Sequence, residues 1–148
     1  MLASATPADY IVVAEDTNGD GSADKSWRFA EGLTMVQGVE PGGGKGGVYV
    51  CDFDSILHLR DTDGDGKADE RRVLFSGFGI GDTHQLVNSI CHGPDGSLWF
   101  SQGLHAMSRV ETPWGIARLD RSAIWRLRPR SLRLEGFFGG GMAGANCW

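Results

Sequence analysis

The chain has 148 residues, 41% of them apolar and 23 of them glycine, which allows one domain with a real core and excludes disorder by composition. Its net charge of −5 argues against nucleic acid as the main partner. The cysteines Cys51, Cys91 and Cys147 are widely spaced with no CxxC or CxxCH, so no zinc site or covalent haem is read from them.

In chain order, "MLASATPADYIVVAED" lacks a charged n-region followed by an apolar h-region, and no run approaches a membrane span. No signal peptide is expected in this segment, and no membrane contact by it. The stretches "YIVVAED", "GGVYVCDFD", "SILHLRD", "RRVLFSGF", "SLWFSQG" and "AIWRLRP" are short, rich in Val, Ile, Phe, Tyr and Trp, and punctuated by Gly, Pro and Asp. All read as strands. "GLHAMSRVETPWGIARLDRSA" reads as a long insertion between strands with room for one short helical turn. Trp99, Trp114, Trp125 and Trp148 are expected in packing between sheets.

A repeat organises these strands. "IVVAED" from Ile11 aligns with "ILHLRD" from Ile56 at an offset of 45, and Gly32 matches Gly77 at the same offset. A third copy begins with "IWRLRP" from Ile124, and "LEGF" sets Gly136 opposite Gly77. On that alignment the third copy has lost segment 61–69 and joins its strands through a short "PRS" turn. Repeats of this length with four strands each are the signature of β-propeller blades. The expected fold is therefore all-β, a partial β-propeller of about two and a half four-stranded blades. Residues 9–33 make a half blade, 34–80 a blade, 81–138 a blade with the insertion, and 139–148 the start of the next. Propellers close with about four to eight blades, so the reading is of a fragment of a larger ring.

Two copies carry an acidic loop at the same place. "DTDGDGKAD" offers Asp61, Asp63, Asp65, the Lys67 carbonyl and Asp69 at alternate positions, with Gly66 in the sharp turn. "DTNGDGSAD" offers Asp16, Asn18, Asp20, the Ser22 carbonyl and Asp24, with Gly21 in the turn. Hard oxygens at this spacing suit Ca²⁺. Neither loop has the bidentate Glu of an EF-hand, since Trp27 and Arg72 stand at that position, and no helix flanks them. Two structural Ca²⁺ sites at the tips of outer hairpins are expected, of the kind the loops of integrin α-subunits and FG-GAP repeats resemble. Each is expected to act on its own blade.

Chemistry is expected where loops enter the innermost strands, at "GDTHQLVNSICHGPDGSLWFSQG". A His, a short strand, "GPDG", an aromatic strand and a Gly resemble the soluble quinoprotein glucose/sorbosone dehydrogenases. The order "DTDGDGKADERRVL", "DTH", "NS", "GPDGSLWFSQG", "SRVETPWG" and "IWRLRP" is closer to the membrane-bound dehydrogenase propellers of planctomycetes and verrucomicrobia. Those often carry HEAT repeats and a CxxCH cytochrome module further along. The resemblance covers nearly the whole chain. It implies oxidation of a sugar or alcohol with pyrroloquinoline quinone (PQQ), electrons passing to a cytochrome c domain of the parent protein. It also implies a periplasmic or extracellular setting, which calcium use suits.

On that resemblance His84 matches the family's general base, a task for which imidazoles as a class titrate in the right range. Asn146 in "GANCW" matches the Asn of an Arg-Asn-Pro-x-Gly cofactor motif. Ala145 and Cys147 stand where that motif has Arg and Pro, which removes one charge-assisted contact to a PQQ carboxylate. Arg109, with His105 and Glu111, is a further candidate in the insertion, expected to line the mouth of the channel, with Arg109 toward the cofactor. His92 and His58 read as structural. The alternative reading is a non-catalytic, calcium-stabilised propeller that binds a glycan or a protein.

Overall fold

A computed structural model describes residues 9–139. Among them the chain forms twelve strands and no helix. The first two, β1 (Asp9–Glu15) and β2 (Lys25–Leu33), form an antiparallel hairpin. Next come β3 (Val36–Pro41), β4 (Gly47–Asp52), β5 (Ser55–Arg60) and β6 (Glu70–Ser76), a four-stranded antiparallel meander in chain order. A second four-stranded sheet is built from β7 (Asn88–His92), β8 (Leu98–Gln102), β11 (Ala123–Arg128) and β12 (Arg133–Gly139). Between β8 and β11 the chain leaves the sheet to make a separate hairpin, β9 (Met107–Thr112) and β10 (Gly115–Asp120). The insertion is thus a β-hairpin, not a loop with a helical turn: β9 and β10 pair residue for residue from Thr112–Gly115 to Met107–Asp120.

Period-2 patterning sorts the side chains into two cores. Along β4 and β5, Val50, Leu57 and Leu59 point one way and meet Ile11, Phe29 and Leu33 of the first hairpin. Tyr49, Cys51 and Ile56 point the other way and meet Ile90, Phe100, Trp125 and Leu127 of the second sheet. The middle sheet is therefore covered on both faces, which is why β4 is almost continuously apolar. Trp125 is fully buried, in T-shaped contact with Phe78 and stacked on Phe100. Its indole N–H donates to Gln102 Oε1 at 2.8 Å, and Gln102 also accepts from Ser108 Oγ at 2.6 Å. This polar knot fixes the β9–β10 hairpin to the second sheet.

The two four-stranded sheets are fanned, not parallel slabs. Their first strands approach closely: a Cβ on Gly38 of β3 would stand 3.2 Å from atoms of Ser89 and Ile90 on β7. Their last strands, β6 and β12, are separated by the inserted hairpin. Arg109 N donates to Gly77 O just past β6, and Leu119 of β10 packs onto Gly136 of β12.

The repeat survives inspection at the level of strand register. A β-bulge follows Ile11 against β2, Ile56 against β6 and Ile124 against β12. The alignment of Gly136 with Gly77 does not hold. Gly136 pairs with Trp125 as Val73 pairs with Leu57, so Gly136 occupies the place of Val73. The third copy joins its strands through residues 129–132 and has not lost the whole of 61–69: the strands close up on a shorter turn and β12 keeps its full length.

Candidate metal loops and the His84 end

Segments 16–24 and 61–69 join β1 to β2 and β5 to β6, and they fold alike. Each opens on an Asp whose carboxylate accepts from two glycine N–H groups: Asp16 from Gly19 and Gly21 (2.7 and 2.8 Å), Asp61 from Gly64 and Gly66 (2.6 and 3.0 Å). Gly21 and Gly66 both hold φ near +88°, the left-handed region that the turn requires and that glycine enters without cost. Next, Asn18 accepts from Asp20 N and Asp20 from Ser22 N. Asp63 and Asp65 accept likewise from Asp65 N and Lys67 N. These bonds turn the side chains inward. Oxygens of Asp61, Asp63 and Asp65 all lie within 4.8 Å of one another. Ser22 and Lys67 enter these bonds as main-chain N–H donors.

Asp24 and Asp69 hold a different post. Asp24 accepts from Thr17 N and Oγ1 (3.1 and 2.7 Å), and Asp69 accepts from Thr62 N at 2.8 Å and from the Thr62 hydroxyl. They tie the end of each loop to its beginning. The threonine hydroxyls, then the N–H groups, hold both carboxyls below the usual range; the N–H groups of Gly21 and then Gly19 do the same for Asp16. Thr17 and Thr62 were not singled out from the sequence. Their signal was there, as the same residue at the second position of both loops.

The loops are not independent. Trp27, just past the first loop, donates its indole N–H to Gly66 O of the second at 2.7 Å. Ala68 N donates to Phe29 O at 2.7 Å. The expectation that each loop serves only its own blade fails for this reason: the hairpin β1–β2 lies across the second loop.

His84 sits at the opposite ends of the strands, in the connection from β6 to β7. Its Nδ1 lies 3.2 Å from Asp82 Oδ1, and its main-chain N donates to the same oxygen at 3.0 Å. The His84 N–H, then its ring, hold the Asp82 carboxyl below the usual range, and the charge of His105 adds to this. His105 belongs to the same group: its N–H donates to Gln85 Oε1 at 3.3 Å. The His84 side chain is 90% exposed. Asp82, placed by the "GDTH" turn, is the residue of this group that sequence reasoning passed over.

The other candidates lie elsewhere. Arg109 does not face His84 but pairs with Asp120 at 2.6 Å and donates to Ser108 O, and it shares a groove along β6 with Glu111. The insertion therefore does not line an opening beside the first strands; of its three candidates only His105 reaches the His84 group. His58 and His92 flank Tyr49, with ring centroids 4.7 and 6.1 Å from it, and their Nε2 atoms lie 3.3 and 3.1 Å from Gly42 O and Pro41 O. Trp125 packs between the sheets, Trp99 packs on Phe137 on the far face of the second sheet, and Trp114 is 63% exposed at a hairpin tip, where it packs nothing between sheets. Cys51 is buried, and burial pushes its thiol up; Cys91 is exposed. Asn146, Ala145, Cys147, Trp148 and the segment expected to start a further blade, apart from Gly139, lie outside the described residues.

Fold and loops together define a class: an all-β protein of fanned antiparallel sheets with paired acidic hairpin loops. The chain belongs to a family described as a domain of unknown function, DUF7133, whose model matches residues 2–146. No curated protein and no solved structure matches it.

Proposed function

We propose that this chain is a calcium-stabilised segment of a β-propeller in a sugar- or alcohol-oxidising enzyme, with His84 as the base that takes the substrate's hydroxyl proton. The observation that carries the catalytic part is the His84–Asp82 pair. With Nδ1 donating to Asp82, Nε2 of this exposed ring is the proton acceptor. The propeller reading is supported by the fanning: first strands close together, last strands held apart by an inserted hairpin, and a bulge repeated at the same place in three hairpins. The resemblance to quinoprotein dehydrogenases gives the reaction class, the periplasmic or extracellular setting and the cytochrome c partner.

Calcium suits the loops. Three carboxylates converging within 4.8 Å repel one another unless a cation joins them, and hard oxygens on a tight turn match Ca²⁺. PQQ is a poor match to Arg109. Its three carboxylates ask for several cations, and Arg109 is already committed to Asp120. The hydride acceptor would have to be held by groups other than Arg109.

The test is turnover of the complete protein by dye reduction, with PQQ and calcium supplied, over a panel of aldoses and polyols. His84→Ala should lower turnover about a hundredfold, the usual scale for a lost acid–base group. The loss should fall on kcat more than on KM, with calcium content unchanged. Wild-type turnover in His84→Ala would remove His84 from the reaction. A second reading, a non-catalytic propeller that binds a glycan or protein, is favoured by the engagement of Arg109 and by the open exposure of His84. It becomes the better one if the complete protein oxidises nothing in the panel.

A further inference from the structure

The turns at the end of the sheets opposite His84 enclose a cleft of about 750 Å³, a ligand-sized volume. One wall is the β3–β4 turn, "GGGKGG". The other is the 129–132 turn of the second sheet. Between them stands Tyr49, a buried residue whose hydroxyl has no hydrogen-bond partner among the described residues. The glycines are needed for this shape. Gly43 holds φ +80°, and a Cβ there would collide with His58 Nε2 and stand 2.9 Å from the Tyr49 hydroxyl. The turn's backbone therefore lies directly against the Tyr49 and His58 side chains.

The second wall is basic in a protein that is acidic as a whole. Arg128 and Arg133 share one carboxylate, Glu135, at 3.2 and 2.9 Å. Arg130, exposed at the cleft, has no acidic partner among the described residues. The one acid of the lining, Asp95, is paired with Arg126 and accepts from Ser97 N and Oγ. Arg128 and Arg130 line the cleft, Arg128 sharing Glu135 with Arg133 and Arg130 unpaired, which leaves an excess of positive charge beside an unpartnered phenol. Planar guanidinium forks match oxyanions, and a tyrosine hydroxyl can donate to the same group.

We infer that this cleft binds a small organic anion, a ring-sized molecule carrying a carboxylate or a phosphate, with Arg130 and Tyr49 as its recognition groups. None of these residues belongs to the metal loops or to the His84 group, so the inference stands apart from both.

The experiment is calorimetry on the full 148-residue chain with inorganic phosphate, galacturonate and neutral galactose. Binding of galacturonate, phosphate or both, with galactose inert, is expected; the tighter of the two anions identifies the group. Arg130→Ala should weaken that binding about tenfold, as for loss of a charge-assisted hydrogen bond, and Tyr49→Phe should weaken it less. Neither should change the melting temperature measurably, since Arg130 is exposed and Tyr49→Phe keeps the packed ring. No binding of either anion at millimolar concentration, galactose binding as tightly as galacturonate, or anion binding unaltered in Arg130→Ala would each overturn the inference.

Discussion

At the scale of single residues, the loop carboxylates are set for ionisation. Thr17, Thr62, Gly19 and Gly21 hold Asp24, Asp69 and Asp16 below the usual carboxylate range. Asp95 is held at about 2, first by the Ser97 N–H, with the Ser97 hydroxyl and Arg126 adding to it. A depressed folded-state pKa means the unfolded chain takes up protons first. The stability these groups lend is thus fully present above the ordinary aspartate value of about 4 and is lost as pH falls through their lowered folded-state values, about 2 for Asp95. Asp52 runs the other way, since burial raises its carboxyl. Acid unfolding followed by circular dichroism should therefore show its main loss below about pH 4; a main loss near neutrality would contradict this account. Thr62→Val keeps the shape of the side chain and removes the hydroxyl bond to Asp69. It should lower the melting temperature, and Ser at the same position should restore most of it.

At the scale of elements, the first hairpin reads the state of the second loop. Trp27 Nε1 bonds to Gly66 O, the carbonyl at the sharp turn of 61–69. Calcium titration should shift Trp27 fluorescence, and Trp27→Phe should abolish that component while leaving the other tryptophans. Asp63→Ala should remove the shift together with one equivalent of bound calcium, and should loosen hairpin β1–β2 as well as β5–β6. A fluorescence response that survives Asp63→Ala would place its source at the first loop. The inserted hairpin depends on Gln102 in a comparable way. Gln102→Leu leaves Trp125 Nε1 and Ser108 Oγ without their buried partner, each costing about 1–3 kcal/mol. Denaturant unfolding should show that loss, and β9–β10 should be the first segment to lose hydrogen-exchange protection.

At the scale of the whole molecule, three layers share two apolar cores, and the acidic loops lie at one end of the stack. Calcium that binds only the folded state stabilises it by mass action, about 2.7 kcal/mol per site at a hundredfold excess over Kd. Melting in chelator against millimolar calcium should separate by several degrees, and magnesium should do much less because it resists a flexible all-oxygen site. Identical melting curves would remove the metal from the account of stability.

Most strands, the repeat at an offset of 45 and the carboxylate spacing of the two loops were legible in the residues alone, because these are local. Alternation of Val, Ile and aromatics sets strand faces within a few residues. The spacing of Asp61, Asp63 and Asp65 on a Gly66 turn brings their oxygens together through bonds that never leave the loop. Tertiary structure decided what depends on distant pairs. Whether Arg109 met a ligand or Asp120 hung on the register of a hairpin that the insertion did not announce. The coupling of Trp27 to Gly66 crosses two repeats, and the turn that replaced 61–69 in the third copy set Gly136 opposite Trp125. The cleft beside Tyr49 draws its walls from turns some ninety residues apart, which no local pattern joins. Strand register and sheet packing place these groups, and both are set by burial summed over the whole core, not by any short stretch of sequence.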